Sequence, residues 1–270
     1  MTALSVEYLH LLNQKAVLYG DKASINLLNV IEWDEVNEIV VDRDTFPDTA
    51  YAAAKIYALE KMSIDDIYID FDVFIKRQRC INQLQNIKCD LLTQYEYFAD
   101  TDKFSALLNA TQYLNSLGIT RVTDPLSVKG YNSGLIKFGN EKLKAQYIEL
   151  YKSFYKNHKD ILDVNKEDDL ILDTYVEEHG LFTIGNQVDQ EGKLLFDSRT
   201  LIGSIDKNVN FGPVQQLAAE YGYEHLCGQK LNFLPKIKAE LGNLNRQKYN
   251  QINETLASLS GLLINKYLNE

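Results

Sequence analysis

Apolar residues recur at helical spacing through residues 5–14, where Val6, Leu9 and Leu12 share a face, and predict a helix there. Residues 15–21 read as a short buried strand stopped by Gly20 and Asp21, 23–31 as a helix, and 37–42 as a second strand with a turn-rich exit. The alanines and Leu59 favour a helix over 48–62, with Asp48 or Thr49 as its cap. A third strand spans 66–70. Helices alternating with strands predict an α/β domain with a largely parallel sheet, in which ligands bind beyond the carboxyl ends of the strands. Further along, 88–96 reads as a strand with its exit loop, and 102–118 as a helix closed by Gly118. An extended stretch is expected over 127–140 and a long amphipathic helix over 141–160. A helix over 166–180 is closed by Gly180, and short strands lie within 181–212, with a turn at 189–192. A helix over 213–222 starts with Pro213, and helical structure over 235–268 has a gap around Gly242.

The third strand leads into the most informative stretch, IYIDFDVFI over 67–75. Strand side chains alternate, so Asp70 and Asp72 are expected to face one spot just past the strand end. Two neighbouring carboxylates are costly to bury unless a cation or strong donors sit between them. Carboxylate oxygens suit Mg²⁺ or Mn²⁺. The plainer alternative is a solvated turn between two strand pieces. Asp42, Asp44 and Asp48 read as caps and turn residues, and the run from Lys166 to Asp169 as an acidic helix start.

The 270 residues are 45% hydrophobic and 24% charged, ordinary for a globular chain, and are read as a domain over 1–234 with a helical appendage over 235–270. A net charge of −10 disfavours nucleic-acid binding but leaves room for a small anion held through a metal. Cys80, Cys89 and Cys227 form no close pair, which argues against structural zinc or a disulfide framework. The first residues lack a signal-peptide pattern, and no apolar run approaches a membrane span, so a cytoplasmic location is expected.

Four features occur in a fixed order: the helix around Lys55, the strand ending in Asp70-Phe71-Asp72, the stretch YNSGLIKFGN over 131–140, and YEHLCGQK over 223–230. In this order the chain resembles the GT-A glycosyltransferases, especially the family-eight type related to glycogenin and galactosyl-transferring enzymes. It looks closer still to a group of bacterial glycosyltransferase-like proteins. The resemblance implies a GT-A-like (Rossmann-like) α/β fold: a mixed, mostly parallel sheet flanked by helices, with helices at the C-terminus. It implies that Asp70, Asp72 and His225 hold Mn²⁺ or Mg²⁺. Lys55, Gly228 and Lys230 would contact the donor diphosphate, and Asn132 and Gly134 would line the sugar pocket. Asp70, Asp72, Asn132 and, more loosely, Asp173 would be the catalytic set. The chain departs from the family in lacking a Pro-Trp after Lys230 and in a reduced first strand.

The expected function is metal-dependent transfer of a hexose from a UDP-sugar, with retention, to an acceptor that is a glycan, lipid, protein or small molecule. A catalytically inactive scaffold and a metal-dependent nucleotidyltransferase or phosphoesterase are the alternatives. The C-terminal helices, where Leu256, Leu259 and Leu263 make an apolar stripe, are expected to pack against the body of the protein, with a homodimer or a membrane surface as the alternatives.

Overall fold

Short strands and helices alternate through the first seventy residues, as the pattern requires, but their strands do not join into one sheet. The computed structural model describes residues 1–47, 50–98, 129–162, 173, 175–202, 204–205, 219–220, 222–226, 230–255 and 257. Helix α1 (Thr2–Leu11) precedes β1 (Val17–Gly20), α2 (Lys22–Leu28) and β2 (Glu35–Glu38). Strands β1 and β2 pair in parallel as a separate two-stranded sheet. Asp21 caps α2, its carboxylate accepting from Ser24 N at 2.7 Å. Helix α3 (Ala53–Lys61) then leads to β3 (Ile67–Ile69).

The main sheet has the order β3-β8-β5-β9, with β5 at Leu91–Thr93, β8 at Leu135–Phe138 and β9 at Ser198–Thr200. Strand β8 runs antiparallel between β3 and β5, and only β5 and β9 are parallel. Two small sheets complete the described set. One joins β10 (Ser204–Ile205), β6 (Glu96–Phe98) and β7 (Lys129–Tyr131), and the other pairs β4 (Val73–Ile75) antiparallel with β11 (Tyr223–His225).

The GT-A-like, mostly parallel sheet expected from the resemblance is therefore corrected. Four of the seven described pairings are antiparallel, and the strands fall into four small sheets. The physical reason lies in two tight reversals. At the first, Val73 N donates to Asp70 O at 3.0 Å, closing a turn that sends β4 out of the sheet β3 belongs to. At the second, residues 132–134 turn the chain from β7 into β8, which enters between β3 and β5 against their direction.

Helix α4 (Gln78–Asn86) buries Cys80, Ile81 and Leu84 against Val73, Ile75, Leu92 and Leu135. Its last carbonyls are capped by a buried lysine: Lys137 Nζ donates to Leu84 O at 3.0 Å and Ile87 O at 3.3 Å. Helix α5 (Glu141–Leu162) packs Tyr147, Tyr151 and Tyr155 into the largest cluster, with Phe46, Ile56 and Leu59. Helix α7 (Leu234–Leu244) follows a 3₁₀ turn at Lys230–Phe233 and buries Ile237 and Leu241 in one cluster with Leu4 and Val6 of α1.

Two glycines behave otherwise than expected. Gly180 does not end a helix. It follows a π-helical turn, Tyr175–His179, and opens α6 (Gly180–Gly185), where a Cβ would stand 3.1 Å from Leu150 Cδ2. Helix α7 runs through Gly242 and breaks at Asn245, whose side chain caps the next helix at Lys248 N, 3.0 Å away. The expected helix over 102–118, most of those over 166–180 and 213–222, and the Leu256, Leu259 and Leu263 stripe lie outside the described residues. Among the described residues, no helix is long and apolar enough to cross a membrane.

Candidate functional site

The two reversals bring distant parts of the chain to one place. Pairing of Ile69 with Leu135 puts residues 132–134 beside Asp70, and Asp70 N donates to Gly134 O at 2.9 Å. Pairing of Val73 with His225, continued by Leu226 N donating to Asp72 O at 3.0 Å, puts the histidine beside Asp72.

Asp70 and Asp72 engage different partners, because the chain turns between them instead of continuing as a strand. The Asp70 carboxylate lies 3.1 Å from Lys55 Nζ and accepts from the Tyr68 hydroxyl at 2.9 Å. Lys55 interrupts the apolar face of α3, and its side chain is only 8% exposed. It is held by Glu177 Oε1 at 2.5 Å and by the carbonyl and hydroxyl oxygens of Ser133, each at 3.2 Å. Burial pulls the ammonium pKa down, but the carboxylates of Asp70 and Glu177 outweigh it and hold it well above the ordinary lysine value. The diphosphate contact expected of Lys55 is thus replaced by an internal ion-pair network.

Asp72 is buried, and its Oδ2 lies 3.5 Å from His225 Nε2. The other ring nitrogen, Nδ1, is 2.8 Å from Gln94 Oε1. An amide oxygen only accepts, so Nδ1 carries the hydrogen, and in the neutral ring Nε2 presents a lone pair toward a carboxylate. Two facing acceptors repel unless a proton or cation lies between them. A histidine oriented through its far nitrogen is also the usual support of a metal ligand. Gln94 is 1% exposed, and its Nε2 has no hydrogen-bond partner among the described residues.

Gly134 is needed for this arrangement. A Cβ there would lie 2.7 Å from His225 Cε1, 3.0 Å from Gln94 Oε1 and 3.1 Å from Asn132 Oδ1. Asn132 is buried and folds back on its own turn, accepting from Gly134 N at 3.1 Å, while its amide nitrogen lies 3.4 Å from Glu178 Oε1. Gly228 and the Lys230 side chain lie outside the described residues.

Asp173 has no exposed surface. It accepts from Ala52 N at 2.8 Å, from Tyr155 at 2.7 Å and from the Tyr151 hydroxyl, which ties α3 to α5. Burial pushes its pKa up to about 7, with the Glu177 charge adding and the three donors opposing. This enclosed tether differs from the catalytic role expected of it.

Sequence reasoning missed Glu177 and Glu178. Both are buried in the π-helical turn: Ser133 donates to Glu177 at 2.6 Å, and Tyr97 to Glu178 at 2.7 Å. Adjacent acids in a helical stretch ordinarily mark a solvated face. The wider π turn, which recurs at functional sites, lets both point inward, and only the buried Lys55 hinted at a partner.

Among the described residues, no group of three or more histidine, cysteine, aspartate or glutamate side chains is gathered as a metal cage. The expected trio is split: Asp72 and His225 come together, while Asp70 is taken by Lys55 and Tyr68. No protein-family model, curated protein or solved structure matches the chain.

Proposed function

We propose that this protein is a cytoplasmic, divalent-cation-dependent glycosyltransferase that moves a hexose from a UDP-sugar to an acceptor. The observation that carries the reading is the facing pair of Asp72 Oδ2 and His225 Nε2 at 3.5 Å, supplied by the residue just before β4 and the last residue of β11. One carboxylate and one Gln-oriented imidazole fit an ion that arrives with its diphosphate. Mg²⁺ and Mn²⁺ commonly take one or two protein ligands and complete their sphere with phosphate oxygens and water. When bound, such an ion supplies Lewis-acid stabilisation of the charge growing on the departing diphosphate.

The chain's own residues do the rest. Asp72 and His225 would hold the ion, and Gln94 fixes the tautomer that turns the Nε2 lone pair toward Asp72. Lys55 and Tyr68 lock Asp70 in one orientation at the rim, where it accepts hydrogen bonds from sugar hydroxyls. The turn at 132–134 shapes the wall behind the sugar through its backbone, because the Asn132 side chain is used within the turn.

A binding module without turnover is the second reading. It is favoured by the commitment of Lys55 to two carboxylates, which leaves no lysine charge among the described site residues for the diphosphate. Release of monosaccharide from UDP-galactose and UDP-glucose, with Mn²⁺ or with chelator, tests both readings. Mn²⁺-dependent release that Asp72→Asn and His225→Gln each lower about 100-fold or more supports transfer, the scale expected for losing a catalytic metal contact. Equal rates in all three proteins remove the pair from the chemistry. Calorimetric binding of UDP with Mn²⁺ but no release supports the binding module.

A further inference from the structure

Residues 73–89 carry four cations, Lys76, Arg77, Arg79 and Lys88, and no carboxylate, in a chain whose net charge is −10. Helix α4 lies within this stretch. Its exposed positions include Gln78, Asn82, Gln85 and Asn86, amides in place of the mixed acids and bases of an ordinary solvated face. Beside it runs a groove of about 690 Å³ lined by Arg79, Asn82, Gln83, Asn86, Lys88 and Arg199. Ile87 is the remaining lining residue, and no aromatic ring is among them. Arg199 is chelated by Asp197, with Nη2 to Oδ2 at 2.7 Å. Arg79 and Lys88 make no ion pair among the described residues, and the enclosed Oε1 of Gln83 accepts no hydrogen bond.

We infer that this groove binds a carboxylate-bearing saccharide. Arg79 and Lys88 meet the acidic groups, and the exposed Asn82 and Asn86 amides, which both donate and accept, match a hydroxyl-rich ligand. A neutral sugar would leave two cations unused. A single-stranded nucleic acid would find no ring on which to stack its bases. The groove also borders the candidate site. Arg199 pairs in register with Leu92, and Gln94, just past the end of the same strand, reaches His225. The inference goes beyond the sugar-transfer reading and does not need it, since it concerns binding alone.

Calorimetry at low ionic strength with a galacturonic acid trisaccharide and its carboxyl-reduced, neutral counterpart tests it. The acidic trimer is expected to bind roughly tenfold or more tightly than the neutral one, a difference that added salt shrinks. Arg79→Gln combined with Lys88→Gln should erase that preference. Both residues are exposed, so the fold is not at risk, and circular dichroism checks it. Asp72→Asn should bind the acidic trimer as the parent does, which separates failure of this inference from failure of the transfer reading. Absence of binding at millimolar trisaccharide, equal affinity for the two trimers, or an unchanged double variant would overturn it. So would an oligonucleotide of equal charge binding more tightly.

Discussion

Replacing Asp173 by asparagine isolates one buried proton. Burial and the Glu177 charge raise the carboxyl from 3.8 to about 7 in the folded chain, despite three donated hydrogen bonds. An acid whose folded pKa lies above its unfolded value holds its proton longer in the folded state. Stability from this group is complete below about pH 4, falls as pH rises at up to about 1.4 kcal/mol per unit, and is gone above about pH 7. A shift of roughly three units amounts to about 4 kcal/mol over the whole window. The amide cannot titrate, yet it keeps the contacts: its oxygen accepts from Ala52 N, and its NH₂ donates to the hydroxyl oxygens of Tyr151 and Tyr155. Urea unfolding of both proteins between about pH 4.5 and 8 supplies the comparison. The stability of the parent relative to Asp173→Asn should drop by about 3 kcal/mol across that range. Subtraction removes Asp21, Asp34, Glu35 and Glu224, whose lowered pKa values act in the opposite sense at acid pH. Parallel curves would refute the reasoning.

Lys55→Met leaves the Asp70 and Glu177 carboxylates without their shared ammonium and should cost roughly 3–5 kcal/mol, read by thermal unfolding. A loss under about 1 kcal/mol would mean that the network does not depend on the charge. Gly134→Ala drives a methyl into the His225 ring and should cost about 1–3 kcal/mol while swinging the imidazole off Asp72. Unchanged His225 ring resonances would sink that expectation. Gly139→Ala places a Cβ 2.1 Å from Cys89 O, whereas Gly192→Ala at φ +80° meets nothing within 4 Å. The first should therefore lower Tm by several degrees more than the second, whose cost is roughly 1–2 kcal/mol of backbone strain. Equal losses would show that the β5–β8 approach is not tight.

Elements specified by local periodicity were legible. Helices α2, α3 and α5 fall within or close to their expected bounds, and Asp189 accepts from Glu191 N and Lys193 N in the turn expected at 189–192. The direction of β8 was not legible, because it follows from how the turn at 132–134 delivers the strand between β3 and β5, a long-range event. Gly180 looked like a helix stop because glycine ends helices on conformational grounds, whereas here its missing Cβ admits Leu150. The proximity of Asp72 and His225 matched the order of motifs, but the diversion of Asp70 to Lys55 did not show in it. That diversion depends on Glu177 and Ser133, which share the ammonium and lie far along the chain.

Strand β4 leaves the ribosome well before its ladder partner, which begins at residue 223. Until then Val73, Phe74 and Ile75, all fully enclosed in the finished protein, have an open backbone edge and no cover from β11. Nascent chains cut short before that point should therefore be sticky and chaperone-dependent, as expected when closure waits on a distant segment. Pairing of Val73 with His225 is thus a contact that forms only once the chain has been made through β11.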